Sequence, residues 1–290
     1  MDSQPNPTQA ESNRNAGLEA PAVALVTERR RWFASFPEGS LEFVAVFRIL
    51  WILALFVAPV TEGFVRRFAG AGIIGLLLAD CGLAIWWLTH TALDRMSLLE
   101  PGKAFSSKQI QRRCLAASVA AVTAHGVLLV FILSLVGVVN PLTQAVPTGP
   151  LRWAIVPVYV VLVIATVITG RWAALGCPIR TVLLTVPFMH WWAIRHSAFD
   201  IGKAFAAALA ERTGKPPITF DTTRAVANAM WVLFMLMVGA MLYATSRGTI
   251  AEWKAMCGGM VAAVAAVADV AAMESVQQVY LRYLRTAKIA

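Results

Sequence analysis

Long apolar runs alternate with short polar segments along most of this chain. A helix needs roughly 20 mostly apolar residues to cross the hydrocarbon core of a bilayer, and six runs approach or exceed that length. They lie at about 41–64, 69–91, 114–139, 153–170, 225–245 and 257–279. The pattern predicts an all-α, polytopic membrane bundle of about six transmembrane helices, formed by one domain over residues 29–290.

A further apolar run at 172–194 is interrupted by Pro178, Arg180 and Pro187. If it crosses the membrane, the basic residues of the loops divide almost evenly between the two sides. If it is re-entrant or interfacial, most of the 25 Lys and Arg fall on one side. Lys and Arg concentrate in cytoplasmic loops. The distribution therefore favours six spans over seven, in the cell (inner) membrane with both termini cytoplasmic.

Two segments outside the spans have distinct polar patterns. Residues 1–28 are polar and contain no basic start followed by an apolar run, so they predict a disordered cytoplasmic tail and no signal peptide. Over 198–213, the apolar residues Ile201, Phe205 and Leu209 recur every four positions. This spacing predicts an amphipathic helix on the membrane surface.

The composition agrees with a bilayer environment. The chain is 58% hydrophobic and 14% charged, against about 45–50% and about 25% for a soluble domain. The formal net charge of +9 arises from basic residues that flank the apolar runs, and these suit anionic lipid headgroups. A nucleic-acid binder would show a basic face with stacking aromatics, so no nucleic-acid partner is predicted.

The sequence contains no motif that identifies an enzyme. No HExxH, GxSxG or Walker loop is present, and no GxGxxG opens a helix after a predicted strand, which leaves enzymatic activity undecided. The four cysteines, Cys81, Cys114, Cys177 and Cys257, lie far apart in the chain. Their spacing predicts neither a disulfide framework nor a metal site, and no cofactor is predicted.

Four of the six predicted spans carry an ionisable residue well inside the apolar run, and these residues are Arg48, Asp80, His125 and Asp269. Each charge costs about 2.5–3.5 kcal/mol at the centre of a membrane helix on insertion scales, which makes such residues candidates for function. Counting helical rise from the predicted cytoplasmic ends places Asp80, His125 and Asp269 at one depth. Arg48 lies on the span before Asp80, so an ion pair between them is predicted.

This polar cluster has two interpretations. The Arg48–Asp80 pair is a structural lock between helices, or the cluster binds a substrate or protons, with Asp80, His125 and Asp269 forming a relay. Glu274 lies beyond Asp269 towards the cytoplasm and would continue an exit path. A solvated helix end explains Glu274 equally well.

The histidines leave a haem or chlorophyll-type pigment as another alternative. Such a cofactor needs an imidazole directed into a cavity between helices. The candidate ligands are His90, His125, His190 and His196. Bis-histidine ligation would require His90 to face His190 or His196. An ordinary belt of interfacial aromatic residues also explains the tryptophans beside these histidines.

The leading functional hypothesis is a transporter-like or channel-like bundle that handles a small solute or protons at its midplane polar cluster. An alternative is a non-catalytic subunit or assembly factor that binds other membrane subunits. The small residues Gly258, Ala262 and Ala266 share one helix face, and such faces allow close helix packing. A haem or pigment carrier is the third hypothesis.

Overall fold

A computed structural model describes residues 44–50, 64–135, 146, 149–246 and 252–286. In these ranges the chain is helical, with no β-strand. Residues 44–50 are helical, and seven longer or shorter α-helices follow. These are α1 (Phe64–Leu99), α2 (Ser107–Leu135), α3 (Ile155–Gly170), α4 (Pro178–Leu183), α5 (Met189–Thr213), α6 (Asp221–Ser246) and α7 (Glu252–Thr286). Short 3-10 turns occupy Pro101–Lys103 and Gly149–Ala154.

Among the described residues, four helices are long and apolar enough to cross a membrane. The qualifying stretches are Ile74–Ser97, Ser107–Leu135, Gly149–Gly170 and Asp221–Ala240. Only 6% of the third and 11% of the fourth is buried inside the protein, so their large apolar side chains face outward. Soluble monomers rarely expose such continuous apolar surfaces. These four helices indicate a membrane protein.

The structure describes the other two predicted spans, 41–64 and 257–279, to different extents. Most of 41–64 and the tail 1–28 lie outside the described residues. The span predicted at 257–279 forms part of α7, which is helical from Glu252 to Thr286. Helices extend past the predicted limits because hydropathy marks only their apolar section, whereas backbone hydrogen bonding continues into polar flanks.

Local signals explain where several helices begin and end. At the start of α2, the Ser106 N–H donates to Gln109 Oε1 at 3.0 Å, and the Gln109 N–H donates to Ser106 Oγ at 3.3 Å, which is a capping box. Pro101 follows the end of α1. In that turn Lys103 donates to Glu100, and this contact lowers the pKa of the Glu100 carboxyl. Gly214 ends α5 with φ +65°, a left-handed conformation that glycine adopts without strain.

The broken segment at 172–194 forms a helical hairpin. Here, α4, the turn 184–188 and α5 are together called the α4–α5 hairpin. Arg180 of α4 donates to Asp200 of α5 at 2.5 Å, so the two arms lie side by side. Pro178 is in the first turn of α4, and Pro187 lies in the turn before α5. Both prolines therefore coincide with the breaks that the sequence predicts.

The tip of the α4–α5 hairpin reaches far along its neighbours. Thr185 at the tip lies 2.9 Å, oxygen to oxygen, from the Tyr159 hydroxyl, and Tyr159 is about 16 Å from the end of α3 by helical rise. Trp231 Nε1 donates to the Phe188 carbonyl at 3.4 Å, and Trp231 is about 15 Å from the start of α6. The tip thus lies about half of a hydrocarbon thickness from the ends of both helices.

The second arm of the hairpin differs from the predicted surface helix. The predicted helix at 198–213 is the C-terminal part of α5, which begins already at Met189. Its apolar residues Ile201 and Phe205 are fully buried, and the Phe205 ring contacts Tyr280 and Tyr283 of α7. The periodicity therefore marks a face that packs on protein, because α1 and α7 lie against α5.

Candidate functional site

Arg48 and Asp80 form the ion pair that the sequence predicts. Arg48 Nε donates to Asp80 Oδ1 at 2.9 Å and to Oδ2 at 3.0 Å. The Arg48 side chain is 1% exposed and Asp80 is fully buried. The helical segment 44–50 and α1 bring the two residues together, so this prediction is confirmed.

Asp269 of α7 joins this pair through the other end of the guanidinium. Arg48 Nη1 donates to Asp269 Oδ2 at 2.6 Å, which connects α7 to the segment 44–50. Asp269 Oδ1 lies 3.4 Å from Arg195 Nη1 of α5, and Arg195 Nη2 donates to Asn228 Oδ1 of α6 at 2.8 Å. Five helical segments thus meet at one chain of side chains, called here the charge network.

The charge network is electrically balanced. Its two guanidinium groups and two carboxylates sum to zero, and all four side chains are at most 2% exposed. Balance matters because an unpaired charge in a low-dielectric interior is strongly unfavourable, whereas a paired and hydrogen-bonded charge is tolerated. The Arg48 guanidinium also lies 5.1 Å from the centre of the Trp191 ring, a distance at which cation–π attraction contributes.

Two donor nitrogens of the charge network have no protein acceptor within the described ranges. They are Arg48 Nη2 and Arg195 Nε, and both atoms are buried. Buried donors are almost always hydrogen-bonded in proteins. The network can therefore accept a water molecule or a small polar solute as an additional partner.

Polar contacts continue from the charge network along the seam between α1 and α7. Asp80, Trp87 and Asp94 are spaced by seven residues, so they share a face of α1. Trp87 Nε1 donates to Gln277 Oε1 at 3.1 Å, and the Tyr280 hydroxyl donates to Asp94 Oδ2 at 2.7 Å. This polar seam connects the charge network to the C-terminal ends of both helices.

The three residues of the predicted relay, Asp80, His125 and Asp269, have different contacts in the structure. The two carboxylates are joined through Arg48. His125 instead lies against Cys81, with 3.9 Å between Sγ and Nδ1, and against His190, with 4.6 Å between ring centres. The Arg48 guanidinium lies between the two carboxylates and His125 stands outside this contact, so the network is an ion-pair chain.

Glu274 is not brought into the charge network. Its side chain is exposed and accepts a hydrogen bond from Gln278 Nε2 at 2.6 Å. Five residues along a helix correspond to about 500° of rotation, so Glu274 and Asp269 point in different directions. The buried polar seam follows Gln277 instead.

The candidate haem ligands occupy three separate environments. His90 Nδ1 lies 3.6 Å from Asp94 Oδ2, and His196 stacks on Trp192 with 4.2 Å between ring centres. His190 faces His125 in direct ring contact. Axial imidazoles lie on opposite faces of a macrocycle, and rings already in contact leave no room for one between them.

The small-residue face predicted on α7 is described only in part. Ala266 is 1% exposed and packs in a core cluster with Trp191 and Phe234. The surroundings of Gly258 and Ala262 lie outside what the structure describes. At Ala266 this face is therefore occupied by the protein's own helices.

Sequence reasoning missed Arg195, Asn228 and Trp191 as members of the site. Arg195 lies in the stretch 195–203, whose polar residues predict a surface segment. Only the depth of the hairpin in the bundle places Arg195 beside Asp269. Asn228 had a usable signal, because it is a polar residue inside an otherwise apolar run.

Comparison of the chain with known protein families, with curated proteins and with solved structures gave no match.

Proposed function

We propose that this protein is a transporter-like or channel-like membrane bundle that handles a small solute or protons at the charge network. The observation that carries the proposal is the hairpin tip, which lies beside a buried, charge-balanced network. Irregular backbone at membrane depth is tolerated only where protein or a cavity shields it from lipid. Broken helices whose N-termini face a polar site are a recurring way to bind solutes at the bilayer midplane.

The hairpin supplies groups suited to this role. The N-terminus of α5 carries the partial positive charge of a helix start, and His190, Trp191 and Arg195 follow within two turns. Proton binding to Asp80 or Asp269 would remove one negative charge and release a guanidinium from its partner. Exchange of partners in the ion-pair chain is the step that would couple a proton to movement of a solute.

Two ring contacts near the ends of the helices support a six-span topology with a re-entrant hairpin. Trp172, after α3, contacts Phe105, before α2, at 5.6 Å between ring centres. Phe220, before α6, lies 5.8 Å from Phe199 of α5. The loops around α2, α3 and α6 therefore gather at the end where the hairpin arms begin and finish, and the segments 93–113 and 171–224, which include these loops, hold 12 of the 25 Lys and Arg. We infer that this end is cytoplasmic.

Replacement of Asp80 or Asp269 by asparagine is expected to abolish proton flux. Asparagine keeps the size of the side chain and removes the negative charge, so Arg48 would no longer exchange between two carboxylates. The measurement is the internal pH of proteoliposomes that contain a pH-sensitive dye and are driven by a potassium diffusion potential. Glu274→Gln, an exposed change on the same helix as Asp269, is the matched control and should retain flux.

Two results would contradict this function. Wild-type proteoliposomes that acidify no faster than empty liposomes would exclude proton handling. Asparagine variants with unchanged flux and a lower yield of folded protein would show that the charge network only locks the helices together.

A reporter at the C-terminus is expected to be cytoplasmic. The reason is that a re-entrant hairpin leaves an even number of crossings between the two ends of the chain. Fusions to a fluorescent protein and to alkaline phosphatase provide the measurement, because the first is active inside the cell and the second outside. Opposite locations for N-terminal and C-terminal reporters would show that the hairpin spans the membrane.

A further inference from the structure

Cys81, His125 and His190 form a compact cluster on the side of the hairpin tip next to the charge network. Their potential ligand atoms all lie within 4.8 Å of one another, and all three residues are buried. α1 supplies the cysteine, α2 the first histidine, and the N-terminus of α5 the second. The residues are too far apart in the chain for any spacing motif to reveal them.

The ring nitrogens of this cluster have unused bonding capacity. His125 Nε2 and both ring nitrogens of His190 are buried, and none makes a hydrogen bond of good geometry in the described part of the chain, although backbone groups of Leu184 and Val186 lie near the two rings. Unsatisfied polar atoms of this kind are rare in folded proteins, and an ion or an ordered water usually explains them. A neutral imidazole has one ring nitrogen with a lone pair, so the two rings and the cysteine sulfur together offer three donor atoms to a ligand.

The geometry fits a three-coordinate metal centre. Metal–sulfur bonds of about 2.3 Å and metal–nitrogen bonds of about 2.0 Å separate sulfur and nitrogen by about 3.7 Å when the ligands are trigonal. The observed separation of Cys81 Sγ and His125 Nδ1 is 3.9 Å. A ring nitrogen of His190 lies within 4.8 Å of the other two ligand atoms, close enough to join the same centre.

We infer that Cys81, His125 and His190 bind one Cu(I) ion. A thiolate is a soft ligand that selects Cu(I) or Zn²⁺, and imidazole accepts both metals. Three side chains are too few for structural zinc, which is almost always four-coordinate, and a zinc site with three protein ligands needs a water molecule as the fourth.

Charge favours the same assignment. Cu(I) replaces the thiol proton of Cys81, so one monovalent cation enters, one proton leaves, and the site stays neutral. Zn²⁺ bound to one thiolate and two neutral imidazoles would leave a net positive charge in a dry interior, which is costly. The neighbouring charge network is already balanced and has no free carboxylate to offset it.

The experiment is a competition titration of the full-length protein in detergent. Cu(I), kept reduced with ascorbate under anaerobic conditions, is shared between the protein and the chromophoric chelator bicinchoninate. Wild type is expected to bind one Cu(I) per chain, with at least about 10-fold weaker binding in Cys81→Ala, His125→Leu and His190→Leu, since even outer-shell changes cost that much. Cys114→Ala, another buried cysteine, is the matched control and should bind like wild type.

Several outcomes would overturn the assignment. These are no stoichiometric Cu(I) binding by folded wild type, full binding by Cys81→Ala, or displacement of Cu(I) by equimolar Zn²⁺. If the histidine variants do not fold, X-ray absorption of the copper-loaded wild type decides, because one sulfur and two nitrogen ligands are expected and a sulfur-free shell would exclude the site. None of these readouts depends on proton flux, so the inference stands apart from the proposed function.

Discussion

Replacement of Arg48 by methionine is expected to lower the free energy of unfolding by about 3–5 kcal/mol, the usual cost of removing one partner of a buried ion pair. Methionine approximates the length of the arginine stem, so the effect reports charge and hydrogen bonding more than volume. The variant leaves the carboxylates of Asp80 and Asp269 with one guanidinium, that of Arg195. The measurement is reversible unfolding in mixed detergent, followed by the intrinsic fluorescence of tryptophan.

A second substitution should restore much of this loss. The double variant Arg48→Met/Asp80→Leu leaves one carboxylate, Asp269, opposite one guanidinium, Arg195, and the interior is neutral again. Buried ion pairs replaced by apolar residues of similar size are often neutral or stabilising. The double variant is therefore expected to be more stable than either single variant, which a double-mutant cycle measures.

The control for this series is Lys103→Met. Lys103 pairs with Glu100 in an exposed turn, and exposed pairs contribute little, so stability should change little. Additive losses in the double variant would contradict the idea that charge balance governs the network. A loss in Lys103→Met as large as that in Arg48→Met would show that unfolding in detergent does not report the buried network.

Replacement of Gly202 by leucine is the second change with a large expected effect. Gly202 lies on the face of α5 that packs against α7, and a Cβ atom there would be 3.0 Å from Val276 Cγ2 and 3.1 Å from the Phe220 ring. Adding volume to a packed interior costs about 1–3 kcal/mol and sometimes more. The cost of the leucine is expected to lie in the upper part of that range, because its side chain must displace both Val276 of α7 and Phe220 before α6.

The matched control is Gly239→Ala in α6, where nothing lies within 4 Å of the added Cβ. Alanine is the better helix former, by about 0.5–1 kcal/mol, so this variant should be as stable as wild type or more stable. The thermal unfolding temperature in detergent is the measurement for both. Equal stability of Gly202→Leu and wild type would mean that α5 and α7 are not in close contact.

The sequence predicted the parts of the structure that depend on the cost of burying charge. Arg48 and Asp80 had to be paired, because neither is tolerated alone in an apolar helix, and their neighbouring positions in the predicted bundle made them partners. The helical class followed from the length of the apolar runs. The breaks at Pro178 and Pro187 followed from the missing backbone donor of proline.

Other parts depended on tertiary packing and had no local signal. Cys81, His125 and His190 meet only because the hairpin tip reaches the level of α2, and no spacing rule encodes that depth. The face of α5 that carries Ile201 and Phe205 has the same periodicity whether it packs on lipid or on α7. Relative depth and the identity of the covering surface are properties of the assembled helices.

The order of the charges along the chain has a consequence for how the protein enters the bilayer. Arg48 and Asp80 are both in the first half of the chain, and Arg195 and Asp269 are both in the second. Each half therefore contributes one positive and one negative charge to the charge network. During synthesis Arg48 and Asp80 can neutralise each other before the last helix exists, and the bond between Arg48 and Asp269 then joins two parts of the network that are already balanced.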